Sequence, residues 1–392
     1  MKYAELIFEN VQEQKVVQKN GVYLIDLNKG DEKFTSKKLK YLVSDLKYLL
    51  NNCWDRRKDV VINLGKTIFT DKISYLVLDT IIFYFLDKLK NIKLKVKINF
   101  KFKKSVINNG FIGTALYKSL KEAKSGYINR ETFLKEYTKE FTSNRRFYRR
   151  IITADKLKSN LQYPSIIFSD IGSILELEFN DDEWIDAVSE IASELVCNIG
   201  SHTDGDCLIH FDIVKDVQFN NKNNTSKKYN CVCLSILNLA PTRLFDKIKE
   251  NLKSCKYDET DSVYKQIYQA YNNHKEFFDK EYEEDDFFFI TAFQNHVTTR
   301  QLKSGNGGTG LTNLIERIID KTEKDYSYVL SGKNIIFFQS ECLGVSEVYN
   351  KKMVGFNKKR DYIKSKPDRS VINRSNLYIP GCAYNLLLVK EK

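Results

Sequence analysis

Gly305-Asn306-Gly307-Gly308-Thr309-Gly310-Leu311 runs straight into Thr312-Asn313-Leu314-Ile315-Glu316-Arg317-Ile318-Ile319, and this junction decides how the chain is read. Glycines let backbone N–H groups close on an anion, and the amphipathic run after them opens a helix whose N-terminal dipole favours negative charge. No Gly-Lys-Ser/Thr follows the glycines, so the loop is not a Walker A loop, and the dinucleotide fingerprint does not fit it either. Taken alone it says only that a phosphate group binds.

Working upstream, Asp182 to Thr203 repeats apolar residues at i, i+3 and i+4 (Trp184, Ala187, Val188, Ile191, Ala192, Leu195, Val196, Ile199), which predicts an amphipathic helix. Glu194 and Asn198 are four apart and point the same way, one turn above the other. Such a pair can accept a proton from water at the carboxylate and offer an amide oxygen to Mg²⁺, although Glu and Asn at this spacing are also common on solvated faces. Cys207–Val214 and Tyr229–Leu239 read as a β-hairpin around the polar turn Asn220–Lys228. Downstream, Ile379 to Leu388 reads as a last strand.

In that order the segments resemble the histidine-kinase-like (GHKL, Bergerat-fold) ATPases. Glu194-Leu195-Val196-Cys197-Asn198-Ile199-Gly200-Ser201-His202-Thr203 is similar to their N-box. Phe293 and Thr298-Thr299-Arg300 are similar to the F-box and the ATP lid, Gly305–Leu311 to the G2 box, and Ile379-Pro380-Gly381-Cys382-Ala383-Tyr384 to the closing strand. The resemblance implies an α/β sandwich with a mixed sheet over 166–392. It implies ATP and Mg²⁺ as ligands, Glu194 as general base and Asn198 as the metal ligand. Gly305, Gly307, Gly308, Thr309, Gly310 and Leu311 would form the phosphate clamp, with Thr299 and Arg300 beside it. One motif departs from the family: its adenine-reading Asp and G1 glycines should follow the hairpin, and there stands Ile236-Leu237-Asn238-Leu239-Ala240-Pro241. Asn238 can still accept from an adenine amine, but without charge. An insertion at 242–284 looks helical and is a candidate lid, docking or homodimer element. The four histidines, His202, His210, His274 and His296, lie within this part, which argues against a sensor histidine kinase.

Ahead of it, Val22–Leu27, Val60–Leu64 and Lys93–Phe100 read as strands alternating with helices, a small α/β domain over 1–125 with at least partly parallel strands. Val60-Val61-Ile62-Asn63-Leu64-Gly65 followed by Phe69-Thr70-Asp71 faintly resembles a STAS-type domain. Residues 126–165 read as a basic helical connector; Arg145-Arg146-Phe147-Tyr148-Arg149-Arg150, arginines with two aromatics interleaved, suits nucleic acid or phosphates, or else is the solvated basic face of an amphipathic helix.

Residues 1–150 hold 32 lysines and arginines against 16 acidic residues, so the chain's net charge of +12 is concentrated there and the remainder is slightly acidic. Such a field attracts nucleic acid or acidic protein surfaces, unless it is simply a lysine-rich solvated surface. With 42% hydrophobic residues the chain is not a disordered one. The eight cysteines form no CxxC pair, which argues against zinc and suits a reducing cytoplasm. Met1–Glu5 has no apolar signal core, and the longest apolar run, Tyr75–Leu86, contains Asp79 and is short for a bilayer; a cytoplasmic protein with no membrane contact is the expectation. Three functions follow as expectations. The first is an ATP-binding, slowly hydrolysing switch acting on a partner protein or nucleic acid in a bacterial regulatory or phage-defence system. The second is an anti-sigma-type protein-serine kinase. The third is a non-catalytic nucleic-acid-binding protein with a degenerate nucleotide site.

Overall fold

The structure, a computed structural model, describes residues 1–53, 57–99, 106–123, 126–218, 227–297, 310–319, 321, 327–348 and 351–392. Its first unit comprises α1 (Leu6–Glu9), β1 (Gln18–Lys19), β2 (Val22–Asp26), β3 (Lys33–Phe34), α2 (Ser36–Asn52), β4 (Lys58–Lys66), β5 (Ile68–Phe69), α3 (Lys72–Lys88), β6 (Ile92–Asn99), α4 (Val106–Phe111), α5 (Ala115–Glu122) and α6 (Arg130–Thr138). Strands β2, β4 and β6 pair in parallel, and β1 joins β2 antiparallel, giving a mixed sheet in the order β1-β2-β4-β6. Leu39, Leu42, Leu46 and Leu49 of α2, spaced for one helical face, are all buried. Thr35 stands at the N-cap of α2 with extended backbone, but its side chain makes no capping bond. Asp71 does cap α3, accepting from the Ser74 N–H at 2.7 Å.

The second unit comprises β7 (Phe141–Asn144), β8 (Phe147–Ile152), α7 (Ala154–Ser159), α8 (Tyr163–Glu176), α9 (Asp182–His202), β9 (Asp206–Val217), β10 (Tyr229–Leu239), α10 (Asp246–Lys253), α11 (Ser262–His274), α12 (Glu284–Thr291), α13 (Gly310–Ile318), β11 (Tyr328–Phe337), β12 (Leu343–Val348), β13 (Lys351–Phe356) and β14 (Ile372–Glu391). Six of its strands form one sheet, β11-β14-β10-β9-β8-β7, antiparallel throughout. Two expectations are corrected here. The mixed sheet is the N-terminal one, not that of 166–392. The stretch 126–165 is helical at α6 and α7 but not across the arginines, which form the β7–β8 hairpin at the edge of the larger sheet. The reason is period: Tyr148 and Ile152 fall on the face beneath α8 and α9, and Ile151 on the other, so both faces of β8 are apolar.

The larger sheet is covered on both sides. Ile209, Phe211, Leu234, Ile236, Tyr384 and Leu386 pack beneath α8 and α9. Leu208, Leu237, Leu239, Leu377 and Ile379 belong to the core of the N-terminal unit. Helices α2 and α3 fill the space between the two sheets and share one core with both. That explains α3: it is buried nearly all round, and a helix with no wet face belongs inside. No helix among the described residues is long and apolar enough to cross a membrane.

Candidate functional site

Helix α9 begins at Asp181, whose carboxylate accepts from the Trp184 N–H at 3.0 Å and pairs with Lys390 of β14. Its apolar stripe, Val188, Ile191, Leu195 and Ile199, is buried. Glu190, Glu194 and Asn198 run at four-residue intervals along one flank, each partly exposed. Glu190 pairs with Arg317 of α13, so this flank is turned towards α13. Glu194 has no hydrogen bond or ion pair among the described residues. The Asn198 Nδ2 is buried and has no partner either. Exchanging the amide's oxygen and nitrogen by a flip would place an oxygen at that buried position, which is the atom a Mg²⁺ ion would take.

Asn238 lies near the end of β10, on the face that α9 covers. It is fully buried, and its Nδ2 donates to the Asp206 carbonyl at 3.1 Å while its Oδ1 has no partner among the described residues. Across the ladder it faces Cys207 of β9 and Cys382 of β14. Gly381 explains the Pro-Gly of the closing strand. It has φ of +81°, and a Cβ there would collide with the Asn238 carbonyl. The adenine-side candidate is thus engaged in holding the 205–206 turn, and one lone acceptor remains.

Helix α13 is seated by Thr312, whose hydroxyl donates to the Phe293 carbonyl at 2.8 Å. Phe293 is itself buried against Phe338 and Phe356. Gly310 is the first residue of α13, and the half-buried Leu311 packs on the main core. Thr299, Arg300, Gly305, Gly307, Gly308 and Thr309 lie outside the described residues.

The insertion 242–284 is helical, as its pattern predicts, and it is built into the core rather than standing off it. Phe245, Ile248, Leu252, Tyr264 and Ile267 are all buried. Just beyond it, Asp286 accepts from Arg374 at 2.5 and 2.8 Å and from Asn334 at 2.8 Å, which ties α12 to β14 and β11.

The sequence reading missed a second group of buried polar residues, on the other face of the sheet. Lys72 of α3 pairs with Asp212 of β9, and both are buried. The rings of Tyr75 and Phe147 meet His210 edge-on at 5.6 and 5.0 Å. Burial, then the positive charges of Lys72 and Arg149, push His210 well below the usual histidine range. Arg149 is 2% exposed and donates to the carbonyls of Tyr137 at 2.7 Å and Lys139 at 3.2 Å. The available signal was His210 and Asp212 at alternate positions of an otherwise apolar strand.

Among the described residues no three His, Cys, Asp or Glu side chains gather as a metal site. The chain is an α/β protein whose two larger sheets share a helical layer, with the candidate helix flank on the outer side of the six-stranded sheet. No protein-family model, curated protein or solved structure matches it.

Proposed function

We propose that residues 166–392 form an ATP-binding domain of the GHKL (Bergerat) kind, and that the chain is a nucleotide-driven switch with slow hydrolysis acting on a partner. One observation supports the reading: α9 and α13, far apart in sequence, lie side by side, and β10 pairs with β14. Helix α9 bears Glu194 and Asn198 on the flank facing α13, the helix that the glycine loop opens. The end of β10 bears Asn238, which pairs with Cys382 of β14 next to Gly381.

In this reading the loop 305–310 and the dipole of α13 hold the phosphates. Asn198 would hold Mg²⁺, which needs only one or two protein ligands when phosphates supply the rest, and the ion would supply charge neutralisation at the phosphate oxygens. Glu194 orients a water and takes its proton. By the resemblance, Thr299 and Arg300 would lie near the phosphates. At the base, Asn238 offers a neutral acceptor where the family has a carboxylate, so affinity and preference for adenine are both reduced.

Isothermal titration of the full chain with Mg²⁺–ATP tests this directly. Binding is expected, weaker for ATP without Mg²⁺, and absence of binding overturns the reading. Glu194→Ala should then cut turnover by about 10²–10⁴-fold, the usual weight of a general base, with ATP affinity changed little. With labelled ATP, release of free phosphate supports the ATPase, whereas label on protein makes the chain a protein kinase.

A further inference from the structure

Some of the basic residues of 1–150 line two adjoining cavities. A cavity of about 510 Å³ opens at the C-terminal ends of β4 and β6, lined by Asn63, Lys95, Lys97 and Lys121. A second, of about 400 Å³, lies between α5 and the β7–β8 hairpin, with Lys118, Asn144, Arg146 and Phe147 on its walls. Tyr117 and Lys121 of α5 line both, so the two cavities meet across that helix.

The alternation of β6 places Lys93, Lys95 and Lys97 on one face, roughly 6.6 Å apart, while Ile92, Leu94 and Val96 are buried on the other. Lys97 and Lys121 are exposed, and neither meets a carboxylate among the described residues. Lys95 lies over the Tyr127 ring at 5.5 Å. Arg146 shares Glu178 with Arg145 and Lys215, so three cations meet one carboxylate. The acidic group on the wall, Asp212, is buried and already matched by Lys72. Lys118 pairs with Glu136 at 3.1 Å. The channel is therefore net positive. The half-buried rings of Tyr117 and Phe147 also line it. Phe147 sits against Gly113, where a Cβ would collide with the ring.

We propose that this channel binds single-stranded nucleic acid, independently of the nucleotide site on α9. Unpaired lysines take phosphates and aromatic rings take bases by stacking; the Asn63 amide already donates to Asp26 and the Asn144 oxygen accepts from the Arg146 N–H, which leaves the Asn63 Oδ1 and the Asn144 Nδ2 for base edges. An acidic peptide would use the lysines and leave rings and amides idle. Cavities of this size take one or two nucleotides at a time.

The test is fluorescence anisotropy of the full chain with a labelled fifteen-nucleotide oligo-dT, between 50 and 200 mM salt. Binding should weaken with salt at a log–log slope of roughly −2 to −3, as for three to four phosphates on a single strand. Lys97→Glu with Lys121→Glu should weaken binding at least ~10-fold and flatten the slope by about one unit. Phe147→Ala should weaken binding with the slope unchanged. Lys333→Glu is the control; it is exposed on β11, at the opposite edge of the sheet from β7, and should bind as the wild type does. The proposal is overturned by no binding at 50 mM salt, by a double variant as tight as the wild type, or by polyglutamate competing as well as unlabelled oligonucleotide.

Discussion

His274 shows how a single buried side chain locks the insertion in place. Its Nε2 lies 2.8 Å from the Tyr362 carbonyl, an acceptor only, so that nitrogen carries the proton. Its Nδ1 then accepts from the Tyr282 hydroxyl at 2.5 Å. Burial holds the imidazole down at about 4, because the charged form would lose its hydration. A histidine depressed in the folded state binds its proton earlier when unfolded, so stability falls as pH drops from about 6.5 to about 4. The contribution is about 3 kcal/mol at most over that window. Denaturant unfolding at pH 7 and pH 4.5 should show this loss in the wild type. His274→Gln should be less stable at pH 7 yet show a visibly smaller drop; an unchanged pH slope would refute the assignment. Asp79 works in the opposite sense. Burial raises its carboxyl from 3.8 to about 6, against the pull of Arg149 and of the Ala115 and Leu116 N–H groups, so its ionisation costs stability as pH rises from about 3.8 to about 6, after which the loss is level.

Among elements, β14 sets the geometry of the candidate site. Its register against β11 shifts around Gly332, which faces Ile379, and close by Gly381 passes the Asn238 carbonyl with φ of +81°. Gly381→Ala combines a strained φ with a backbone collision, so a loss of roughly 2–3 kcal/mol is expected. Equilibrium unfolding measures it, and a neutral result would mean that β14 does not pass Asn238 this closely. Much of this layer was legible. The stripes of α2 and α9 follow directly from periodicity, while the β9–β10 hairpin follows from two apolar runs around a polar turn, since both strands are buried on both faces. The β7–β8 hairpin was not legible, since four arginines in six residues look like a wet helical face. Arg149 is in fact buried, held by two backbone carbonyls that no local pattern announces. Asn238 could be found from motif order but not its commitment to Asp206, which depends on a neighbouring strand.

At the scale of the whole molecule, both faces of the larger sheet are covered among the described residues: α8 and α9 lie on one side and the N-terminal unit on the other. Strand β10 serves both, with Asn238 in the outer layer and Leu237 and Leu239 in the shared core. The two units should therefore unfold together, and the Lys72–Asp212 pair is the place to test it, because it crosses between them with both groups buried. Removing one partner strands a buried charge, and losses of about 3–5 kcal/mol are usual for that. Lys72→Met and Asp212→Leu should each destabilise the chain by that order, in a single transition seen alike by fluorescence and circular dichroism. The double variant removes both charges and should recover most of the loss, since a well-packed apolar pair often matches a buried ion pair. Additive losses in the cycle would mean that the two side chains do not interact. Two separated transitions would mean that the units fold independently, and that the apolar face formed by Leu237, Leu377 and Ile379 is not what joins them.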